Sequence, residues 1–140
     1  MPSANSRFLP KRLADNYFTG SFKFLLVSAA PSESNLDTWD FRNDVTNEVT
    51  GAGYTAGGVN ATVTVGAVDT ANNRVAITIS NLSPGWTTAT LTAVGGWLYK
   101  NVGTAATDDL VAFVDFGSAV VSTASDFSVT FSAPIYITTA

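Results

Sequence analysis

The residues able to do chemistry in this 140-residue chain are few, and their types exclude most reactions. There is no His and no Cys. A Ser–His–Asp triad, a thiolate nucleophile and a His- or Cys-based metal centre are therefore all impossible. Carboxylate-pair glycoside hydrolysis survives, with Asp108, Asp109, Asp115 and Asp126 as its candidates. That reaction needs one carboxyl held in a cleft with a raised pKa. Asp108 and Asp109 read instead as loop acids and Asp115 as a strand-end residue, so no enzymatic activity and no cofactor are expected. Asp37, Asp40, Asp44 and Glu48 follow helical spacing and could attract Ca²⁺, but they lack the dense Asp/Asn/Gly alternation of a calcium loop. No metal site is assigned to them. Gly51-x-Gly53 and Gly57-Gly58 flank Tyr54 without the Lys-Ser/Thr of a phosphate loop, and read as turns needing positive φ. Asn60-Ala61-Thr62 and Asn81-Leu82-Ser83 have the glycosylation pattern, which arises by chance in so Thr- and Asn-rich a chain.

The remaining candidates are binding groups. Trp39, Trp86 and Trp97 could anchor an interface or stack a ligand, as could Tyr54 and Tyr99, although core packing is the commoner use of such rings. Basic residues gather at the start: Arg7, Lys11 and Arg12 precede the first acid, Asp15. Residues 1–16 are read as a basic arm, with Arg7, Phe8, Leu9, Lys11, Arg12, Leu13 and Tyr17 forming a partner-binding set. Residues 11–17 could form one or two helical turns against a partner surface. The overall pI of about 4.4 argues against direct nucleic-acid binding and favours an acidic protein surface as the arm's target.

The elements that must position these groups are mostly strands. Residues 22–29 read as a first core strand. The run Phe24–Ala30 is too short and interrupted upstream for a signal peptide or a membrane span. Residues 36–50 are the helix candidate, with Phe41, Val45 and Val49 as an apolar stripe and Gly51–Gly53 as its stop. From residue 59 onward the chain holds 12 Val, 4 Ile and 14 Thr, a strong β enrichment. Strands are predicted over 61–65, 74–80, 88–100, 110–116 and 126–137, with turns at 69–73, 81–85, 101–109 and 117–125. Phe116, Phe127, Val129 and Phe131 are expected in the core. The expected fold is mainly β: an antiparallel β-sandwich or jelly-roll-like barrel with one short helix. An extended N-terminal arm (1–16) would precede a single β domain (17–140).

Charged residues make up only 13% of the chain, against roughly 25% in typical domains. Such a neutral surface suits a protein whose faces are partly covered by neighbours, the preferred reading, or one that lives outside a cell. Three stretches carry a family resemblance. They are Asp37-Thr38-Trp39 through Asn47-Glu48-Val49 into Gly51–Gly58, Trp86–Ala93 continuing to Lys100, and Leu110–Gly117 followed by Phe127–Phe131. Their order, after the opening strand Phe24–Val27, resembles a family of small virion structural proteins of tailed bacteriophages. The resemblance spans about residues 22–132 and leaves the arm outside.

It implies a decoration or cement protein of the capsid surface, made in the host cytoplasm. Its partners would be the major capsid protein and copies of itself, as a homotrimer, with no membrane association. A tail, adaptor or fibre-associated part is the alternative within the particle, and a carbohydrate-binding module built on the Trp rings is another.

Overall fold

In the computed structural model, residues 8–138 are described. The chain is mainly β, with two antiparallel sheets and short helices, as its composition predicts. By its contacts it forms two compact units. Unit 1 is built from residues 1–19, 62–81 and 130–140, and unit 2 from 20–61 and 82–129.

Unit 2 is organised on a four-stranded sheet. Its strands are β1 (Ser21–Val27), β2 (Val59–Ala61), β5 (Leu82–Asn101) and β6 (Asp109–Val129), in the order β2-β1-β5-β6. β1 pairs with β5 from Ser21↔Asn101 to Val27↔Gly95. β5 and β6 pair from Lys100↔Asp109 to Leu82↔Val129, with several register shifts. Phe24, Leu25, Leu26 and Val27 are buried in succession, so the central strand is covered on both faces. Leu25 and Val27 share one face with Trp97 and Tyr99, and Trp39, Val45 and Phe113 pack against them. Gly96 sits opposite Leu26. A side chain there would collide with the Phe24 ring and the Leu25 carbonyl, so only glycine lets the strands approach.

Unit 1 has a three-stranded sheet in the order β3-β4-β7, made of β3 (Val63–Asp69), β4 (Arg74–Ile79) and β7 (Ile135–Thr138). Helix α1 (Leu9–Tyr17) lies against these strands. Its Ala14 is fully buried with Val75 and Ile77, and Phe18, Val65 and Ile137 pack around them. Over residues 9–16 this replaces the expected extended arm by helix, and residues 1–7 of that arm lie outside the described residues. Pro10 and Ala14, spaced i and i+4, give the segment a buried face, so residues 9–17 are helix and part of a core.

Two further expectations change. The helix over 36–50 is replaced by α2 (Glu33–Thr38), a 3₁₀ turn at Arg42–Asp44 and irregular chain. The β-branched Val45, Thr46, Val49 and Thr50 disfavour helix, and Val49 instead donates its N–H to the Leu26 carbonyl beside β1 (3.0 Å). α2 starts where Ser32 and Asn35 exchange capping hydrogen bonds. The turn expected at 117–125 lies within β6, which runs on through Gly117 (φ +82°) and Ala124 (φ +46°).

Phe127 and Val129 are buried as expected, whereas Phe116 and Phe131 are half-buried. Phe127 packs edge-on to Trp86 (ring centroids 5.8 Å) and near Phe116 (6.3 Å). Phe127→Ala should cost about 3–5 kcal/mol in urea unfolding. Phe131→Ala, at a half-buried position, should cost clearly less in the same measurement.

Candidate functional site

The groups singled out by the sequence divide into a polar framework inside unit 2 and an exposed face on α1. The framework forms where the irregular segment 39–58 crosses the sheet. Arg42 Nε donates to Asp108 Oδ2 at 2.9 Å, and the Asp108 side chain is fully buried. Asp108 Oδ1 accepts the Val102 N–H at 2.7 Å, so the same carboxylate closes the loop between β5 and β6. The Arg42 guanidinium also lies over the Tyr99 ring, 5.3 Å from its centroid.

A second cluster sits on Glu48. Its Oε1 accepts from the Tyr54 hydroxyl (2.7 Å) and the Gly57 N–H (2.6 Å). The Tyr54 oxygen in turn accepts the Leu26 N–H (3.1 Å), and the Tyr99 hydroxyl donates to the Gly57 carbonyl (2.6 Å). Gly58, at φ +76°, packs onto β1 so closely that any side chain would meet the Phe24 carbonyl. The glycines around Tyr54 are thus the close-approach turns of this framework.

Burial dominates the titration of both tyrosines. It pushes Tyr99 up to about 12, against the opposing pull of Arg42. It drives Tyr54 higher still, countered in part by the Leu26 N–H and reinforced by Glu48. For Asp108, burial alone would raise the pKa. The hydrogen bonds from Val102 and Arg42 outweigh it and hold the carboxyl below its ordinary range.

The predicted acidic face does not exist as one surface. Asp37 and Asp40 are exposed. Asp44 Oδ2 accepts the Asp40 and Phe41 N–H groups at 3.0 Å each, and Glu48 belongs to the tyrosine cluster. Among the described residues no three His, Cys, Asp or Glu side chains converge as metal ligands. The four acids considered for hydrolysis are dispersed: Asp115 accepts the Gly117 N–H (2.7 Å) and Asp126 the Thr88 N–H (3.3 Å). Asp108 lies in the loop between β5 and β6, as expected, and is there the buried partner of Arg42. The pair went unseen because its members lie 66 positions apart. The available signal was scarcity, since only Lys23, Arg42, Arg74 and Lys100 supply positive charge after residue 20.

Of the three tryptophans, Trp86 and Trp97 are only 3% and 5% exposed. Trp86 stacks on Tyr54 (5.9 Å) and Trp97 packs with Trp39 (6.5 Å) and Phe113 (5.3 Å). Neither offers a free face for a ligand in this chain, and Trp39 is half-buried beside them. A groove of about 400 Å³ in unit 2 is lined by Glu48 and the hydroxyls of Ser28, Thr50, Thr90, Thr92, Ser122 and Thr123. Ser122 Oγ lies 2.9 Å from both the Ala89 and Ser125 carbonyls, so its hydroxyl is committed to backbone.

The N-terminal set behaves differently. Arg7 lies outside the described residues. Lys11 pairs with Asp15 at 2.9 Å, Leu9 is half-buried, and Tyr17 packs edge-on to Phe18 (5.1 Å). Phe8 and Leu13 are 55% and 56% exposed, and Arg12 is exposed with them. On a helix, positions 8 and 12 point away from Pro10 and Ala14, with 13 on the flank. The structure therefore presents Phe8, Arg12 and Leu13 on a helix held rigidly by its opposite side. Among the described residues no helix is long and apolar enough to cross a membrane.

The framework fixes the pH response. Asp108 titrates below its unfolded value, so its stabilisation is complete above pH ~4 and is lost as pH falls through the folded pKa. Tyr99 titrates above its unfolded value, so its contribution is complete below pH ~10 and fades towards pH 12. Thermal melts should therefore fall at both extremes. Asp108→Asn should blunt the acid limb and Tyr99→Phe should soften the alkaline limb, each at the cost of a lower melting temperature near neutrality. Compared with known family models, curated proteins and solved structures, the chain matches none.

Proposed function

We propose that this protein is a non-enzymatic structural part of a tailed-phage particle, a decoration or cement subunit bound to the outer shell. The observation that carries the reading is the face of α1. Phe8 and Leu13 are large apolar side chains left in solvent beside Arg12, on a helix whose other side is locked into a core. Isolated exposed apolar residues need no explanation, but two flanking a cation on a rigid helix form the anchor-and-charge pattern of an interface.

The residues that carry the family resemblance support the same reading. Arg42, Glu48, Tyr54, Gly57 and Tyr99 serve as an internal brace through hydrogen bonds to one another or to backbone, and Trp39 and Trp86 add ring contacts. A protein that spends its distinctive residues on rigidity is suited to bearing load between neighbours. The partners proposed are the major capsid protein and further copies of this chain, assembled as a homotrimer.

The structure alters how attachment is tested. Removing residues 1–16 would strip Ala14 from Val75 and Ile77 and damage unit 1. Surface changes on α1 are the cleaner probe. Arg12→Glu with Leu13→Ser should leave the thermal melt within a few degrees of wild type and abolish co-sedimentation with shells lacking the protein. Unchanged shell binding would refute the attachment face. Cryo-EM of the parent particle should show many copies over the shell. A few copies at one vertex would establish the tail or adaptor role instead.

A further inference from the structure

The two units carry opposite charge. Among the described residues unit 1 has three Lys and Arg against two acids, whereas unit 2 has three against nine. Each unit also exposes large apolar side chains within its charged region. On unit 1 these are Phe8 and Leu13 beside Arg12. On unit 2 they include Leu36, 50% exposed, and Phe41, 36% exposed, besides Val102, Val120 and Val121 on β6 and the loop before it. Leu36 lies on α2 between Glu33 and Asp37, and Asp40 immediately precedes Phe41; all three acids are exposed. Asp44 is not part of this rim, because its carboxylate holds the backbone of Asp40 and Phe41.

We propose that the α1 face of one copy docks on the α2–Phe41 face of a second copy. The two patches differ in charge: on α1 the apolar side chains flank Arg12, Lys11 being paired with Asp15 on the same helix, and on the other face they lie beside the exposed Glu33, Asp37 and Asp40. Opposite rims steer the encounter and fix its register, while apolar contact supplies the affinity. A patch pairing with itself would set Arg12 against Arg12, or Asp37 against Asp37, so the contact is between unlike faces. After a single docking event the pair retains one free donor face on one copy and one free acceptor face on the other. Assembly therefore proceeds head to tail and either closes as a ring or continues as a row. The inference names the partner of the face assigned above to attachment, and rests on that reading only in treating the face as a contact surface.

Sedimentation velocity on the purified full chain tests it with no shell present. The wild type should show concentration-dependent association at low salt that weakens at about 1 M salt, where charges are screened within about 3 Å. Arg12→Glu should raise the dissociation constant at least about tenfold, as should Asp37→Lys with Asp40→Lys. Combining all three in one chain restores opposite rims and should recover association to within about threefold of wild type. Leu13→Ser should weaken association without changing its salt dependence. Circular dichroism melts identify any variant that has lost its fold. A wild type that stays monomeric at every concentration overturns the proposal. So does association that is unmoved by both charge reversals and by Leu13→Ser, or reversals that are not rescued when combined. Self-association of this kind by a protein found on no particle would defeat the particle reading and leave this one standing. Shell binding by a strictly monomeric chain would do the reverse.

Discussion

The acceptance of two hydrogen bonds by one carboxylate oxygen of Glu48 underlies the architecture of unit 2. The chain between β1 and β2 has neither a strand nor a long helix to satisfy its backbone, yet it must lie across a sheet. Glu48 fixes Tyr54 and Gly57, Tyr54 reaches the Leu26 N–H on β1, and Tyr99 takes the Gly57 carbonyl from β5. An irregular segment is thereby bonded to two neighbouring strands. The Arg42–Asp108 pair does the same at the other end, fastening that segment to the loop between β5 and β6. A buried ion pair is weak evidence for stability in itself, since desolvation opposes it. Here it specifies one arrangement of two loops that have little apolar surface to do so.

This brace engages many of the chemically capable residues of unit 2 in structural contacts. A carboxylate beside two tyrosines, or an arginine over an aromatic ring, can mark a catalytic centre. In this protein burial moves the Tyr54 and Tyr99 hydroxyls still further above the physiological range, and the Glu48 and Asp108 carboxylates accept N–H and O–H donors. Other groups lie on the surface, among them Arg12, Leu13, Leu36 and Phe41.

How much was legible in the sequence follows from the range of each interaction. Strands β1, β3, β4 and most of β5 declare themselves through β-branched residues and two-residue alternation, which are local signals. The span 117–125 was misread because Gly117, Ser118, Ser122 and Ser125 look like a turn. A long edge strand can absorb them at bulges, and nothing nearby in sequence says so. The spacing of Asp37, Asp40, Asp44 and Glu48 mimicked a helix face, yet Asp44 and Glu48 were serving backbone and tyrosine partners. Arg42 and Asp108 leave no periodic trace at all. The role of Ala14 was hidden for another reason: a small residue in a short polar segment gives no sign that a sheet will cover it.

The order of strands in unit 1 bears on how the chain is made. That unit is assembled from three separate stretches, and β7 completes its sheet by pairing Ile135–Thr138 with β4. During synthesis at about 5–20 residues per second, α1, β3 and β4 leave the ribosome well before β7 does. Until then one edge of β4 has no partner, and Ile77, which pairs with Ile135, lacks its final neighbour. The strands of unit 2 are all translated earlier, so the nascent chain can complete its larger sheet while the smaller one waits for its last strand. A premature stop near residue 130 would thus spare every strand of the first and leave the second with an open edge.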